Sequence, residues 1–165
     1  MADRRRTIAL GALIVAVAGL DQWTKSLARA VLRTEPPRTF LGGVLTLVYA
    51  ENSGAFLSIG EALPPLVRAL LFTVVVVAAL AGAAYLLTTG RVHARSDSVA
   101  FALLVGGGVG NVIDRLIQGG RVTDFIYLAA GPLHTGVFNV ADIAITGAFI
   151  WLAVSSLRRQ DKAAG

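Results

Sequence analysis

Two aspartates, Asp124 in GRVTDF and Asp142 in FNVADIAI, stand among residues that otherwise leave water. An ionisable side chain in an apolar segment costs about 2.5 to 3.5 kcal/mol on insertion, so it normally faces a bundle interior and marks function. Two carboxylates brought together do not both ionise; one keeps a proton near neutral pH while the other stays a base. Such a pair can activate a water and protonate a scissile carbonyl, as an aspartic protease does. A metal site is the competing use, and the histidines serve it poorly. His93 sits in a connection on the far side of the bundle, and His134 stands alone beside the fourth apolar segment. No Ser-His-Asp or Cys-His set can be assembled, and GGGVG at Gly106 to Gly110 follows no strand and lacks the lysine of a phosphate loop. Hydrolysis without a metal or cofactor is the expectation.

Other polar residues share this setting. Asn111, Asp114 and Arg115 are spaced three and four apart, Asn139 and Asp142 three apart, and Asp21 and Lys25 four apart, so three helices would each turn a polar stripe inward at one depth. The plain alternative is that paired ions and hydrogen bonds hold the bundle together. Asp21 with Lys25 fits that alternative, since an i, i+4 pair satisfies itself. Asp114 is read as the support of Arg115, which would bind carbonyls or a substrate. The three glycines Gly106 to Gly108 either let helices approach closely or leave bare backbone past which an extended substrate can lie.

The elements that must position these residues are apolar helices. Of 165 residues, 55% are hydrophobic and 15% charged, and mean hydropathy is +0.70, which predicts an all-α integral membrane protein. Cysteine is absent, so disulfides and thiolate sites are excluded. A single membrane domain over 1–165 is predicted, with four transmembrane helices at about 7–32, 66–88, 97–117 and 138–158. Arg4 to Arg6 followed by an apolar run ending in Ala16 and Ala18 also fits a cleavable signal, but the helical pattern continues through DQWTKSLARAVL. Residues 34–62, rich in β-branched residues punctuated by glycine, predict a small β-sheet on the outer membrane surface. Residues 118–137 are expected as an outer loop, and RRQDKAAG at the end as a solvated tail. Net charge is +5, but the basic residues form short clusters beside apolar runs, which fits membrane topology and not nucleic acid. The clusters at Arg4 to Arg6, Arg91 with Arg95, and Arg158 to Lys162 would share the cytoplasmic side, leaving both termini inside and Asp21, Asp124 and Asp142 toward the outer face.

DQWTK at Asp21 to Lys25, ENSGAF at Glu51 to Phe56, GGGVGNVIDR at Gly106 to Arg115, GRVTDF at Gly120 to Phe125 and FNVADIAI at Phe138 to Ile145 together resemble the lipoprotein signal peptidases, or signal peptidase II. These are bacterial intramembrane aspartic proteases, and the five motifs come in the family's order across nearly the whole chain. The resemblance implies a cytoplasmic (inner) membrane enzyme that removes the signal peptide from diacylglyceryl-modified prolipoproteins, cleaving just before the lipidated cysteine. It makes Asp124 and Asp142 the catalytic pair, and Asn52, Gly54, Gly108 and Arg115 the substrate contacts. Asp21, Asn111 and Asn139, together with Lys25 and Asp114, would support the site. The outer sheet would be the family's cradle. The partners implied are lipidated prolipoproteins, membrane lipids and cyclic-peptide inhibitors of the globomycin type.

Two segments depart from the family pattern: NSGAFLS has one alanine fewer before its phenylalanine, and LHTGVF replaces an aromatic-proline pattern before Phe138. Both would border the substrate, which keeps open a paralogue acting on another membrane peptide, or a noncatalytic binder of lipidated peptides. A small proton-coupled transporter is the rival of another class, and it predicts inverted repeats or matched broken helices, neither visible here.

Overall fold

In the computed structural model, which describes residues 4–53, 64–92 and 94–164, four helices carry a small antiparallel sheet at one end. Helix α1 (Arg4–Leu32) stops just before Pro36 and Pro37, which cannot continue it. Helix α2 (Pro65–Thr88) starts with proline at its first position, where the missing N–H is no loss. Helix α3 (Arg95–Ile117) ends at Gln118, and Gly119 and Gly120 turn the chain away with φ of 61° and 90°. Helix α4 (Val140–Ala164) runs back down the bundle. It extends through most of RRQDKAAG, so the expected solvated tail is helical, and Arg158 to Gln160 are exposed.

Among the described residues, α1, α3 and the Val140–Gln160 part of α4 are long and apolar enough to cross a membrane. The expected span at 66–88 coincides with α2, whose apolar stretch among those residues is the shorter Thr73–Thr88. Half of the apolar stretch of α3 is buried, against 6% for α1 and 11% for α4, so α3 is the central helix. Its glycines make that possible. A Cβ on Gly106 would lie 2.8 Å from Val17 Cβ, and one on Gly107 would lie 2.7 Å from the Ala141 carbonyl oxygen. Bare backbone therefore lets α1 and α4 close on adjoining faces of α3, the packing use of the glycine run. Gly108 faces Leu80 of α2.

The sheet has the order β1 (Arg38–Phe40), β2 (Leu45–Asn52), β3 (Val122–Ala130), β4 (Leu133–His134), all antiparallel. A tight turn at Leu41 to Gly43, with all three φ values positive, joins β1 to β2. Only the first half of this sheet lies in the predicted 34–62 segment. The expected outer loop at 118–137 supplies β3 and β4, because VTDFIYLAA is β-branched and aromatic and can pair with both ends of β2, across an irregularity between Leu47 and Ala50. His134 is thus a strand residue, stacked on the Tyr127 ring with centroids 6.1 Å apart. His93 lies outside the described residues.

At the opposite end, Arg6 donates to the Val92 carbonyl at 2.9 Å and to the Ser98 hydroxyl, while Arg159 and Ser155 reach Asp97 at 2.6 and 2.8 Å. The start of α1, the α2–α3 connection and the last turns of α4, each bearing one of the basic clusters, meet there. Replacing Gly107 by alanine should push α3 from α4 and cost about 1–3 kcal/mol. Gly82→Ala, whose added carbon meets nothing within 4 Å, should be neutral. Thermal unfolding in detergent reads the difference, and equal melting temperatures would remove the close-packing role from Gly107.

Candidate active site

The site forms where the sheet meets the C-terminal end of α3 and the N-terminal end of α4. β3 enters the bundle with Val122, Thr123 and Asp124 buried, and Asp124 keeps only 2% of its surface. Asp142 lies in the first turn of α4, where the unpaired N–H groups of a helix start favour an anion. Asn139 is the residue that caps that turn. Its Oδ1 accepts from the Asp142 N–H at 3.0 Å, and Asp142 Oδ2 accepts in return from the Asn139 N–H at 3.1 Å, a reciprocal capping box.

Asn139 then links Asp142 to Asp124: its Nδ2 donates to Asp124 Oδ1 at 2.6 Å, while its Oδ1 and backbone N–H hold Asp142. The remaining oxygens are held likewise. Asn52 Nδ2 donates to Asp124 Oδ2 at 3.0 Å, and Asn111 Nδ2 donates to Asp142 Oδ1 at 3.1 Å. Each of the four carboxylate oxygens thus accepts an N–H, from residues on β2, on α3 and at the start of α4. These donors are neutral, which answers how a buried Asp124 and a half-buried Asp142 sit together with few cations: dipoles replace charges.

Behind them lies a charged layer. Lys25 is fully buried and reaches Asp21 at 2.8 Å, Asp114 at 3.7 Å and Asn111 Oδ1 at 2.7 Å. Asp21 is paired with Lys25 as its spacing predicted, and its other oxygen accepts from the Ala141 N–H at 2.9 Å, so it also caps α4. Asp114 departs from expectation in its contacts: its charge acts on Arg115, but among the described residues no hydrogen bond or ion pair joins the two. Adjacent helical positions point about 100° apart. Asp114 turns to α1 and β3, accepting from Thr123 N–H at 2.8 Å and meeting Arg29 at 3.3 Å. Arg115 donates to the Asn111 carbonyl at 3.3 Å, and its Nε is buried with no partner among the described residues.

Gln22, Arg29 and Thr123 belong to this layer and were missed in sequence. Arg29 donates to Thr123 Oγ1 at 3.0 Å, and Gln22 to the Gly110 carbonyl at 2.9 Å. The signal was present for Arg29, which continues the i, i+4 row of Asp21 and Lys25. Gly54, expected at the substrate, lies outside the described residues.

A cleft of about 730 Å³ opens beside Asp142, lined by the Thr135 to Phe138 stretch and by Ile143, Ile145, Thr146 and Gly147 of α4. Its walls are mostly apolar, and among the described residues Asp142, partly exposed, is its one ionisable lining group. Asp124, on β3 and outside the helices, has its carboxyl pushed up to about 6, first by burial and then by the negative charge of Asp142. The bonds from Asn52 and Asn139 oppose that rise.

Residues 13–158 match the family described as signal peptidase (SPase) II. The chain belongs to the signal peptidase II family. Relatives named lipoprotein signal peptidase include one from Chlorobium phaeovibrioides, 40% identical over 143 residues and covering 81% of each chain. Another, from Sphingopyxis alaskensis, is 35% identical over 93% of this chain and 88% of its own. A solved bacterial membrane enzyme, determined in meso at 2.3 Å resolution, shares the fold with a TM-score of 0.78 at 24% identity, covering 93% of this chain and 90% of that one.

In this signal peptidase II, the raised Asp124 carboxyl binds its proton more tightly folded than unfolded. Its contribution to stability is therefore full below about pH 4 and is lost as pH rises through about 6. Asp124→Asn, which cannot ionise, should gain in melting temperature over the wild type as pH goes from 5 to 8. A difference that stays constant across that range would refute the raised carboxyl.

Proposed function

We propose that this chain is an aspartic endopeptidase of the bacterial cytoplasmic membrane that removes the signal peptide from diacylglyceryl-modified prolipoproteins, cutting just before the lipidated cysteine. The observation that carries the proposal is the single Asn139 amide holding Asp124 and Asp142 together beside an apolar cleft, in a chain of this family. Asp124 and Asp142 form the catalytic dyad and share one proton. The ionised member takes a proton from water, whose oxygen attacks the scissile carbonyl carbon, while the protonated member gives its proton to the carbonyl oxygen. Collapse of the resulting diol breaks the C–N bond, and the amine leaves with a proton returned from the dyad. Burial of Asp124 beside a second carboxylate favours the singly protonated pair.

Substrate binding uses the same cleft. Its apolar walls suit a lipidated peptide whose acyl chains stay in the bilayer, and a cyclic peptide inhibitor of the globomycin type would compete there. The Nε of Arg115, without a partner among the described residues, is a donor available to a substrate main-chain carbonyl, Asn52 would border the peptide from the end of β2, and Gly54 is a further substrate contact. A contact at Gly108 requires Leu80 to turn aside. Asp21, Lys25, Asn111, Asp114 and Asn139 support the dyad.

Topology follows the charges. With α2 as a fourth span, the arginine clusters at the end opposite the sheet lie in the cytoplasm with both termini, and the sheet and dyad face outward. The chain is then one membrane domain.

The test is a gel-shift cleavage assay in detergent on a purified diacylglyceryl-modified prolipoprotein. Asp124→Asn and Asp142→Asn should each stay folded and lose turnover on the order of 10³-fold or more. Full turnover in either would remove the dyad assignment. A folded wild type that leaves this substrate intact would remove the substrate assignment.

A further inference from the structure

The oxygen and nitrogen ends of an asparagine amide have nearly the same shape, so a buried asparagine is aimed by its partners alone. Asn111 must present nitrogen to Asp142, because a carboxylate only accepts. Its Oδ1 faces away, toward Lys25 Nζ at 2.7 Å and Asn139 Nδ2 at 3.2 Å. We propose that Lys25 is a positioning residue for the reaction: its ammonium decides which end of the Asn111 amide faces Asp142. The inference rests on the dyad reading above.

An ammonium has three donors and no acceptor, so only the oxygen of Asn111 can face it. Reversing the amide would set N–H against ammonium and carbonyl oxygen against carboxylate, two repulsions in place of two bonds. The Asn139 bond favours the same orientation but is longer and uncharged, and a charge-assisted bond is about twice as strong. Lys25 is itself held. Asp21 pairs with it at 2.8 Å and binds the Ala141 N–H through its other oxygen, which ties the lysine to the helix carrying Asp142.

The rival role is structural: an ion pair that fills the space between α1 and α3. Asp21→Asn with Lys25→Met separates the two. It removes both charges together, keeps an oxygen for the Ala141 N–H, and exchanges a buried pair for neutral groups, a change proteins often tolerate. Turnover of lipidated prolipoprotein would be measured for the wild type, D142N, the D21N/K25M double variant, Asn111→Ala and the triple combination, each checked by thermal unfolding. The double variant should lose about 10-fold or more in kcat with KM little changed, as misaimed catalytic groups do. In the Asn111→Ala background the same two substitutions should cost less than about threefold more, since their route is already cut.

Multiplying effects, or a double variant with wild-type kcat, would overturn the proposal. Should the double variant not fold, the wild type decides. The side-chain NH2 signals of Asn111, assigned by their loss in Asn111→Ala, should move on Asp142→Asn, and unmoved signals overturn the proposal. No cleavage by the wild type, or full turnover by D142N, overturns the dyad reading and this inference with it; neither outcome involves Lys25.

Discussion

Everything near the site follows from linking a buried carboxylate, Asp124, to a half-buried one, Asp142, and bonding both with neutral N–H groups. Cations at the same distance would hold both groups ionised and would fill the space a peptide must occupy. Amides stabilise the oxygens without cancelling their charge, so burial and mutual repulsion still act on Asp124. The requirement for four N–H donors explains why the site gathers residues from β2, α3 and the start of α4. It also explains the layered order, with neutral donors against the dyad and the ion pairs of Lys25 and Arg29 one step behind.

Bringing those donors together depends on α3. It carries Asn111 and Asp114 on the side facing α1 and lets α1 and α4 approach through Gly106, Gly107 and Gly110. At Gly110 an added carbon would strike the Asp21 carboxylate, so the close approach of backbone and the placing of the ion pair are one requirement. The sheet completes the arrangement. β3 delivers Asp124 into the bundle, and β2, paired along it, delivers Asn52 to the outer oxygen.

The helices were legible because their signal is local: apolar runs of spanning length, ended by prolines and glycines. The two aspartates were legible because carboxylates are out of place in such runs. The pairing of β2 with β3 was not, since the strands lie about 70 residues apart and VTDFIYLAA sits between two helical segments where a loop was the simpler expectation. Asp114 misled for a related reason. Its neighbour in sequence is an arginine, but around a helix the next residue faces elsewhere, and its true partners lie on other elements. The final turns of α4 read as a tail because charge is dense there; Arg158 to Gln160 are exposed but helical, and Arg159 finds Asp97 only once α3 and α4 are packed.

The capping of α4 limits which residues can occupy one position. Serine, threonine, aspartate and asparagine all start helices well, because each offers an oxygen to the first-turn N–H groups. At position 139 that oxygen is used on Asp142, while a separate nitrogen donates to Asp124 and Asn111. Aspartate would add a third carboxylate to the pair, and a hydroxyl has a single proton on a shorter arm. Asparagine alone among the four can begin the helix at Asp142 and donate to the Asp124 carboxylate at once. The helix start and the bridge therefore cannot vary independently: a residue chosen only for its capping strength would leave a sound helix and a broken link between Asp124 and Asp142.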